Sequence, residues 1–530
     1  MSGYDYIIIG AGSAGCVLAA RLSELPDARV LVLEAGPRDT NPYIHVPVGF
    51  AKMTSGKLLW GYETAPLRHA NNRKAVYPQA RVLGGGSSIN AEIYTRGCPE
   101  DYDSWANELG CAGWGWNDLK KYFLRSEGNT RLSGPDHGTD GPLGVSDLPT
   151  PSPLSQAYID GCVEIGMPRN DDFNSGKQEG AGLYQTTTRN GRRCSAAVGY
   201  LKPVLNRKNL ELRTDVTVKR IVFSKTRAVG VEIHTRAGVQ ILHAAQEVIL
   251  AAGAIGSPKM LMLSGIGPSQ HLKSVGVETL HHLPGVGQNF HDHFSTDVIW
   301  QLNGAHSYDK YKKLQWQVVA GLQYALFRNG PVSSNIVEAG AFWWGDRKEK
   351  TPDLQFHFLV GAGMEEGVGS VPGGNGATCN SYHTRPRSRG SVTLKSNKLE
   401  DAPIIDPNSF AEPYDLERHI EGIKVTQEVG RSRAFSKYVT QEHFPGTACK
   451  TKQDYIEVAR SHARSSYHPV GTCKMGVDDM AVVDLNLRVH GIEGLRVCDS
   501  STMPHVVSSN TNAPTIAIAE KAADLIRGNR

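Results

Sequence analysis

The opening of the chain, YDYIIIGAGSAGCVLAARL, sets a short β-branched run before three glycines, then a pattern in which Val17, Leu18 and Leu22 share one helical face. That order predicts strand, tight turn and helix. RVLVLEAG follows as a second strand, ending at Glu34. At the far end, GLRVCDSSTMPHVVSSNTNAPTIAIAEKAADLI reads as a strand ending at Asp499, a polar loop, and an amphipathic helix from about Pro514. In between, DLQFHFLV and GSVTLKS have the length and residue types of strands in a second sheet. The fold class is therefore α/β: a Rossmann-like dinucleotide-binding domain beside an α+β domain built on an antiparallel sheet. Glycine-rich VGSVPGGNGATCN, residues 368–380, predicts a surface loop, with a mobile flap near the pocket as the alternative. There are no repeats or low-complexity tracts, and no run reaches the ~18 apolar residues of a transmembrane helix.

Composition narrows this only a little. The 530 residues suffice for roughly two to four domain-sized units without disulfide staples. A net charge of +4 with no dense basic run gives no reason to expect nucleic acid or an anionic surface as partner. Nine irregularly spaced cysteines suit a reducing compartment. YIIIGAGSAGCVLAA loosely resembles a signal or lipoprotein cleavage region, but a signal peptide starts with positive charge and Asp5 is the one charge before Arg21. A soluble, cytoplasmic protein is expected, with peripheral membrane contact left open.

The chemistry starts with Gly10, Gly12 and Gly15 at GxGxxG spacing. The first permits a tight turn, the second lets backbone approach a pyrophosphate, and the third lets helix and strand pack closely, with the helix N-terminus facing the phosphates. Glu34 falls near the ~20-residue offset of an acid that binds an adenosine ribose. A dinucleotide is expected, but nicotinamide and flavin enzymes share this fingerprint. ARVLGGGSSIN, residues 80–90, offers the flexible backbone and small hydroxyls of a loop lying against a flat cofactor, or of a plain surface turn. The C-terminal helix has no acid in its first turn, which leaves its positive end for an anion such as reduced flavin. In SSYHPVGTCKMG, His468 stands near Cys473 and Met475, which are soft-metal donors. No CxxC, CxxCH or HExxH occurs, so no metal is assigned. His291 and His293 in FHDHF, without a third ligand nearby, read as structural, and His281 and His282 have no better claim.

In this order the motifs resemble the glucose–methanol–choline (GMC) oxidoreductases, FAD enzymes that oxidise alcohols, over essentially the whole chain. ARVLGGGSSIN and GAIGSPKMLMLSGIG (253–267) resemble the two family signatures, and YHPVGTCKMG with SNTNAPTIAIAEKAAD resembles the C-terminal active-site region. The resemblance implies FAD, with Gly84, Gly85, Gly86 and Asn90 lining the flavin, Asp499 near its ribityl–phosphate side, and the Val218 backbone near adenine. It implies that His468 faces the flavin as the base and that Asn510 donates a hydrogen bond to the alcohol oxygen. Chemically, the O–H proton must go to an acceptor as the α-hydrogen leaves as hydride, and a neutral imidazole is suited to take it. Ile89 stands where some members carry a histidine joined to flavin, so noncovalent FAD is expected.

With its motifs at both ends, the FAD domain must be discontinuous, at 1–150, 201–300 and 466–530, with the substrate domain at 151–200 and 301–465. Within the family, GFAKMTSG, HANNR, RRCSAAVGYLKP and PDLQFHFLVGAG most resemble the L-sorbose-oxidising branch, which implies oxidation of a primary alcohol, L-sorbose to L-sorbosone. A quinone or dye is the expected electron acceptor, with oxygen not excluded. The alternatives are a GMC oxidase or dehydrogenase for choline, an aliphatic or a benzylic alcohol, or a non-redox hydroxynitrile lyase.

Overall fold

The computed structural model describes residues 3–235, 238–304, 306–365 and 367–528. Its first sheet is parallel at the centre. Leu210–Arg213, Val30–Leu33, Tyr4–Ile9, the second half of Gly238–Leu250, and Leu495–Val497 lie side by side in that order. Ile7, Ile8, Leu31, Ile249 and Leu250 are fully buried, which is why these strands read as continuous apolar runs rather than alternating ones. The first half of Gly238–Leu250 instead pairs antiparallel with Arg227–Thr235, which pairs with Thr217–Ser224.

Helix Ser13–Leu22 packs against the C-terminal helix Asn512–Arg527. The latter begins close to the expected Pro514, with most of its residues buried and the charged Lys521, Asp524 and Arg527 only partly covered. Glu520, its one acid in the interior, accepts hydrogen bonds from Arg21 and from Tyr200.

The second sheet is antiparallel, in the order Val439–Phe444, Phe294–Leu302, Gly376–His383, Leu354–Leu359, Val337–Trp343, Gly180–Leu183. Strand alternation sorts its side chains. Val298, Trp300, Cys379, Phe356 and Phe358 enter an apolar core shared with helices Pro153–Glu164 and Pro413–Arg431. Register places Ser295 opposite Tyr382 and both Asp297 and His357 opposite Asn380, so the other face is polar although buried.

Two expectations are corrected here. GSVTLKS does not join this sheet: Ser391–Thr393 pairs with Ile404–Asp406 in a ladder of its own. The reason is that Phe290 and Gly390 exchange backbone hydrogen bonds and Val392 packs in a different cluster, with Tyr62, Phe290 and Ile405. The 368–380 segment is not a loop throughout, since Gly376–His383 is a buried strand at the heart of the sheet. Gly376 is there for space: a Cβ would meet the Ala362 methyl at 2.7 Å. Among the described residues no helix is long and apolar enough to cross a membrane.

Candidate active site

A continuous cavity runs from the parallel sheet to the polar face of the antiparallel one. At its first end, Gly10 has φ +100°, and a Cβ there would meet the Ala251 carbonyl oxygen at 2.5 Å. A Cβ at Gly15 would fall 1.9 Å from the Gly10 oxygen, so this glycine serves helix packing and does not line the cavity. Gly12 and Gly86 differ: they line the cavity, and a Cβ on either would meet no protein atom closer than 3.9 Å. Protein packing therefore does not explain why these positions are glycine; a ligand lying against bare backbone does. Ser13 Oγ donates to Asn512 Oδ1 at 2.7 Å, tying together two helix starts, neither with an acid in its first turn. Two positive dipole ends thus meet at one wall, suited to phosphate and to an anionic ring.

Glu34 Oε2 accepts from the Ala11 N–H at 2.8 Å and Oε1 from the Gly36 N–H at 2.7 Å, and burial pushes its carboxyl above the usual range. Asp499 accepts from the Gly253 and Ser501 N–H groups and from the Ser257 hydroxyl. Val218 and Gly85 line the same cavity. Gly84 does not: at φ +88° it turns the chain, and a Cβ would meet Ser88 Oγ at 2.2 Å. Asn90 also lines it, its amide oriented by Oδ1 accepting from Arg193 at 2.7 Å and from the Glu92 N–H at 3.1 Å. Beneath it lies a buried Arg193–Glu92 ion pair at 3.0 Å, and burial outweighs that pairing to push Glu92 up to about 7.

His468 and Asn510 meet at the other end, 3.0 Å apart from imidazole Nε2 to amide Nδ2. Thr95 Oγ1 and Gln355 Nε2 donate to Asn510 Oδ1 at 3.0 and 3.1 Å, which aims the amide NH2 at the imidazole. On the far side, His468 Nδ1 lies 3.0 Å from His293 Nδ1, and His293 Nε2 lies 2.9 Å from the Thr384 carbonyl oxygen. A carbonyl can only accept, so the His293 proton sits on Nε2 and its Nδ1 is bare. His468 must then donate from Nδ1, leaving Nε2 unprotonated, where it accepts from the Asn510 amide. Burial keeps both rings neutral: His468 lies well below the usual histidine value, and His293 falls to about 4. The His293 ring is stacked on Tyr382 at 4.7 Å. The arrangement is a neutral imidazole whose unprotonated Nε2 meets an amide donor at the cavity wall.

The GMC oxidoreductase N-terminal model matches residues 4–295 and the C-terminal model residues 386–519. The chain belongs to the GMC oxidoreductase family. It is 41% identical over 528 residues to an alcohol dehydrogenase [acceptor] of Pseudomonas putida, covering 99% of this chain and 95% of the relative. An oxygen-dependent choline dehydrogenase of Sinorhizobium fredii is 42% identical over 531 residues, covering 99% and 96%. Among solved structures, pyridoxine 4-oxidase from Mesorbium loti matches at TM-score 0.89 and 32% identity over 98% of both chains. Formate oxidase of Aspergillus oryzae matches at TM-score 0.93 and 26% identity, covering 100% of this chain and 99% of that one. The cofactor of this GMC oxidoreductase is FAD, and its donors are of the alcohol type.

The sequence reading missed several residues that surround His468. His293, assigned a structural role in FHDHF, is in hydrogen-bond contact with His468 across 175 positions of sequence. The signal was present, a histidine beside an acid, but its partners Thr384 and His468 are remote in the chain. Gln355 and Thr95 likewise orient Asn510 from distant strands and loops. Asp292 of the same motif accepts the His468 backbone N–H at 2.8 Å. Cys473 and Met475 are packed in the main apolar core.

Proposed function

We propose that this GMC oxidoreductase is a dehydrogenase that oxidises the primary alcohol of a polyhydroxylated substrate, with L-sorbose to L-sorbosone as the reaction and a quinone or dye as electron acceptor. FAD, when bound, supplies the hydride acceptor, and Ile89 offers no nucleophile for a covalent link to it. His468 Nε2 takes the hydroxyl proton of the alcohol. Asn510 Nδ2 donates to the same oxygen, so the two atoms that now face each other at 3.0 Å would share one alcohol oxygen. The observation that carries this reading is the Thr384–His293–His468 chain, which keeps that nitrogen unprotonated.

A hydroxylated substrate is supported by the wall opposite. Ser295, Asn380 and Ser466 line the cavity, and Ser295 Oγ, Asn380 Oδ1 and Ser466 Oγ are buried with no protein hydrogen-bond partner. Buried polar atoms of this kind favour a ligand that brings hydroxyls to them. Choline is the second reading, favoured by Glu365, a buried carboxylate on the cavity wall. That charge is already compensated by Arg464 at 2.8 Å, which also holds Asp297 at 3.2 Å. Anaerobic mixing with L-sorbose, D-sorbitol, choline, aliphatic and benzylic alcohols tests both readings through bleaching of the yellow flavin. Bleaching by L-sorbose is expected. Fast bleaching by choline alone would replace the substrate, no bleaching by any alcohol would point to lyase chemistry, and predominant peroxide release in air would make the protein an oxidase.

A further inference from the structure

The helix Leu314–Phe327, LQWQVVAGLQYALF, has no charged residue in 14 positions, yet only Ala320 and Tyr324 on it are buried. Tyr324 pins it down by donating to the Gly191 carbonyl at 2.8 Å. The opposite face is a ridge of Leu314, Val318, Leu322 and Leu326 at i, i+4 spacing, flanked by Val319. Leu314 is 75% exposed, Leu326 72% and Phe327 68%. Single exposed aliphatics are ordinary, but five contiguous ones on a convex ridge require something to cover them.

The flanks indicate what covers it. Lys310, Lys312 and Lys313 precede the helix and Arg328 follows it, and no carboxylate occurs between residues 310 and 330. Asp309, just outside, is buried and already paired with Lys312 at 2.7 Å. Lys310 lies over the ring of Trp316, a side chain suited to a boundary between water and apolar material. A second copy of this chain fits poorly. In a two-fold contact of ridge on ridge, the lysine end would face either the same lysines or Arg328, with no acid to pair them. A surface that is apolar below and anionic at the rim satisfies both features.

We propose that Leu314–Phe327 lies in the plane of an anionic phospholipid bilayer, its aliphatic ridge among the acyl chains and Lys310, Lys313 and Arg328 at headgroup phosphates. The test is flotation of the yellow holoenzyme with phosphatidylcholine vesicles, with and without phosphatidylglycerol. Wild-type protein should float with the mixed vesicles. The triple variant Leu314→Gln, Leu322→Gln, Leu326→Gln should bind them about tenfold more weakly or worse, because the buried apolar area is lost. Lys313→Gln with Arg328→Gln should lose about fivefold per charge, on the phosphatidylglycerol vesicles only. None of these residues lines the cavity, so both variants should remain yellow and reduce dye in solution as before. Wild-type protein left unfloated with both vesicle types, or a triple variant that floats as well as wild type, would overturn the proposal. So would a dimer in solution that the triple variant dissolves without any vesicle binding, which would assign the ridge to a second copy.

Discussion

Replacing His293 by phenylalanine keeps a ring that can stack on Tyr382 and removes both nitrogens. The Thr384 carbonyl loses its 2.9 Å donor, and the His468 Nδ1–H loses its 3.0 Å acceptor. In the wild-type protein the opposite His468 tautomer is doubly penalised, because it would set bare Nδ1 against bare Nδ1 and Nε2–H against the Asn510 NH2. The variant removes the first penalty and strands a buried donor in the active tautomer, which costs about 1–3 kcal/mol. Converted to rate, this is a loss of roughly 5- to 150-fold in the flavin-reduction step. KM should change little, since His293 reaches the substrate only through His468. Anaerobic stopped-flow reduction at saturating alcohol measures the step, and flavin absorbance reports retention of FAD. His293→Asn, whose Oδ1 can stand in for Nδ1, should recover most of the loss. A His293→Phe protein that is yellow, with the wild-type rate constant and an unaltered pH profile, would show that His293 does not position the base.

Three further outcomes are expected. His468→Ala should cut turnover by about 10²–10⁴ while FAD stays bound, and Asn510→Ala should cut it less, both read by steady-state dye reduction with flavin content as control. Acid precipitation should release FAD into the supernatant, because Ile89 cannot form a bond to it; yellow colour remaining in the pellet would contradict this. Thermal midpoints should fall as pH drops from about 6.5 towards 4. His293 and His419 are held neutral by burial down to about 4, whereas in the unfolded chain they take up protons near 6.5, so the unfolded state gains protons first and stability is lost on acidification.

What could be read from sequence was local. Gly10, Gly12 and Gly15 lie within one turn and its helix, where backbone geometry dictates residue type, and Glu34 and Asp499 end strands that point at the same wall. The polar lining was half visible. LQFHFL reads as a strand, and period two places Gln355 and His357 together on the face away from Phe356 and Phe358, but nothing local says which face meets a substrate. The glycines at 373–376 misled because the same residue type serves a flexible loop and a tight strand contact, and only the Ala362 methyl distinguishes them. The hydrogen-bond chain through His293 was out of reach, since it joins three segments separated by 91 and 175 residues.

The loop that carries His468 shows how the two sheets cooperate. Tyr467, just before His468, holds φ +67°, a left-handed conformation that a bulky side chain adopts at a cost of about 1–3 kcal/mol. Asp292 supplies the restraint: it accepts hydrogen bonds from the Tyr77 and Ser465 hydroxyls and from the His468 backbone N–H, and burial pushes its carboxyl up to about 6. Its neighbour His293 contacts the ring of the same histidine. One dipeptide therefore grips His468 twice, by backbone and by side chain. It lies immediately before the Phe294–Leu302 strand, whose Ser295 forms part of the cavity wall. His468 and that wall are thus positioned from one stretch of backbone, so a shift of the strand would move both together.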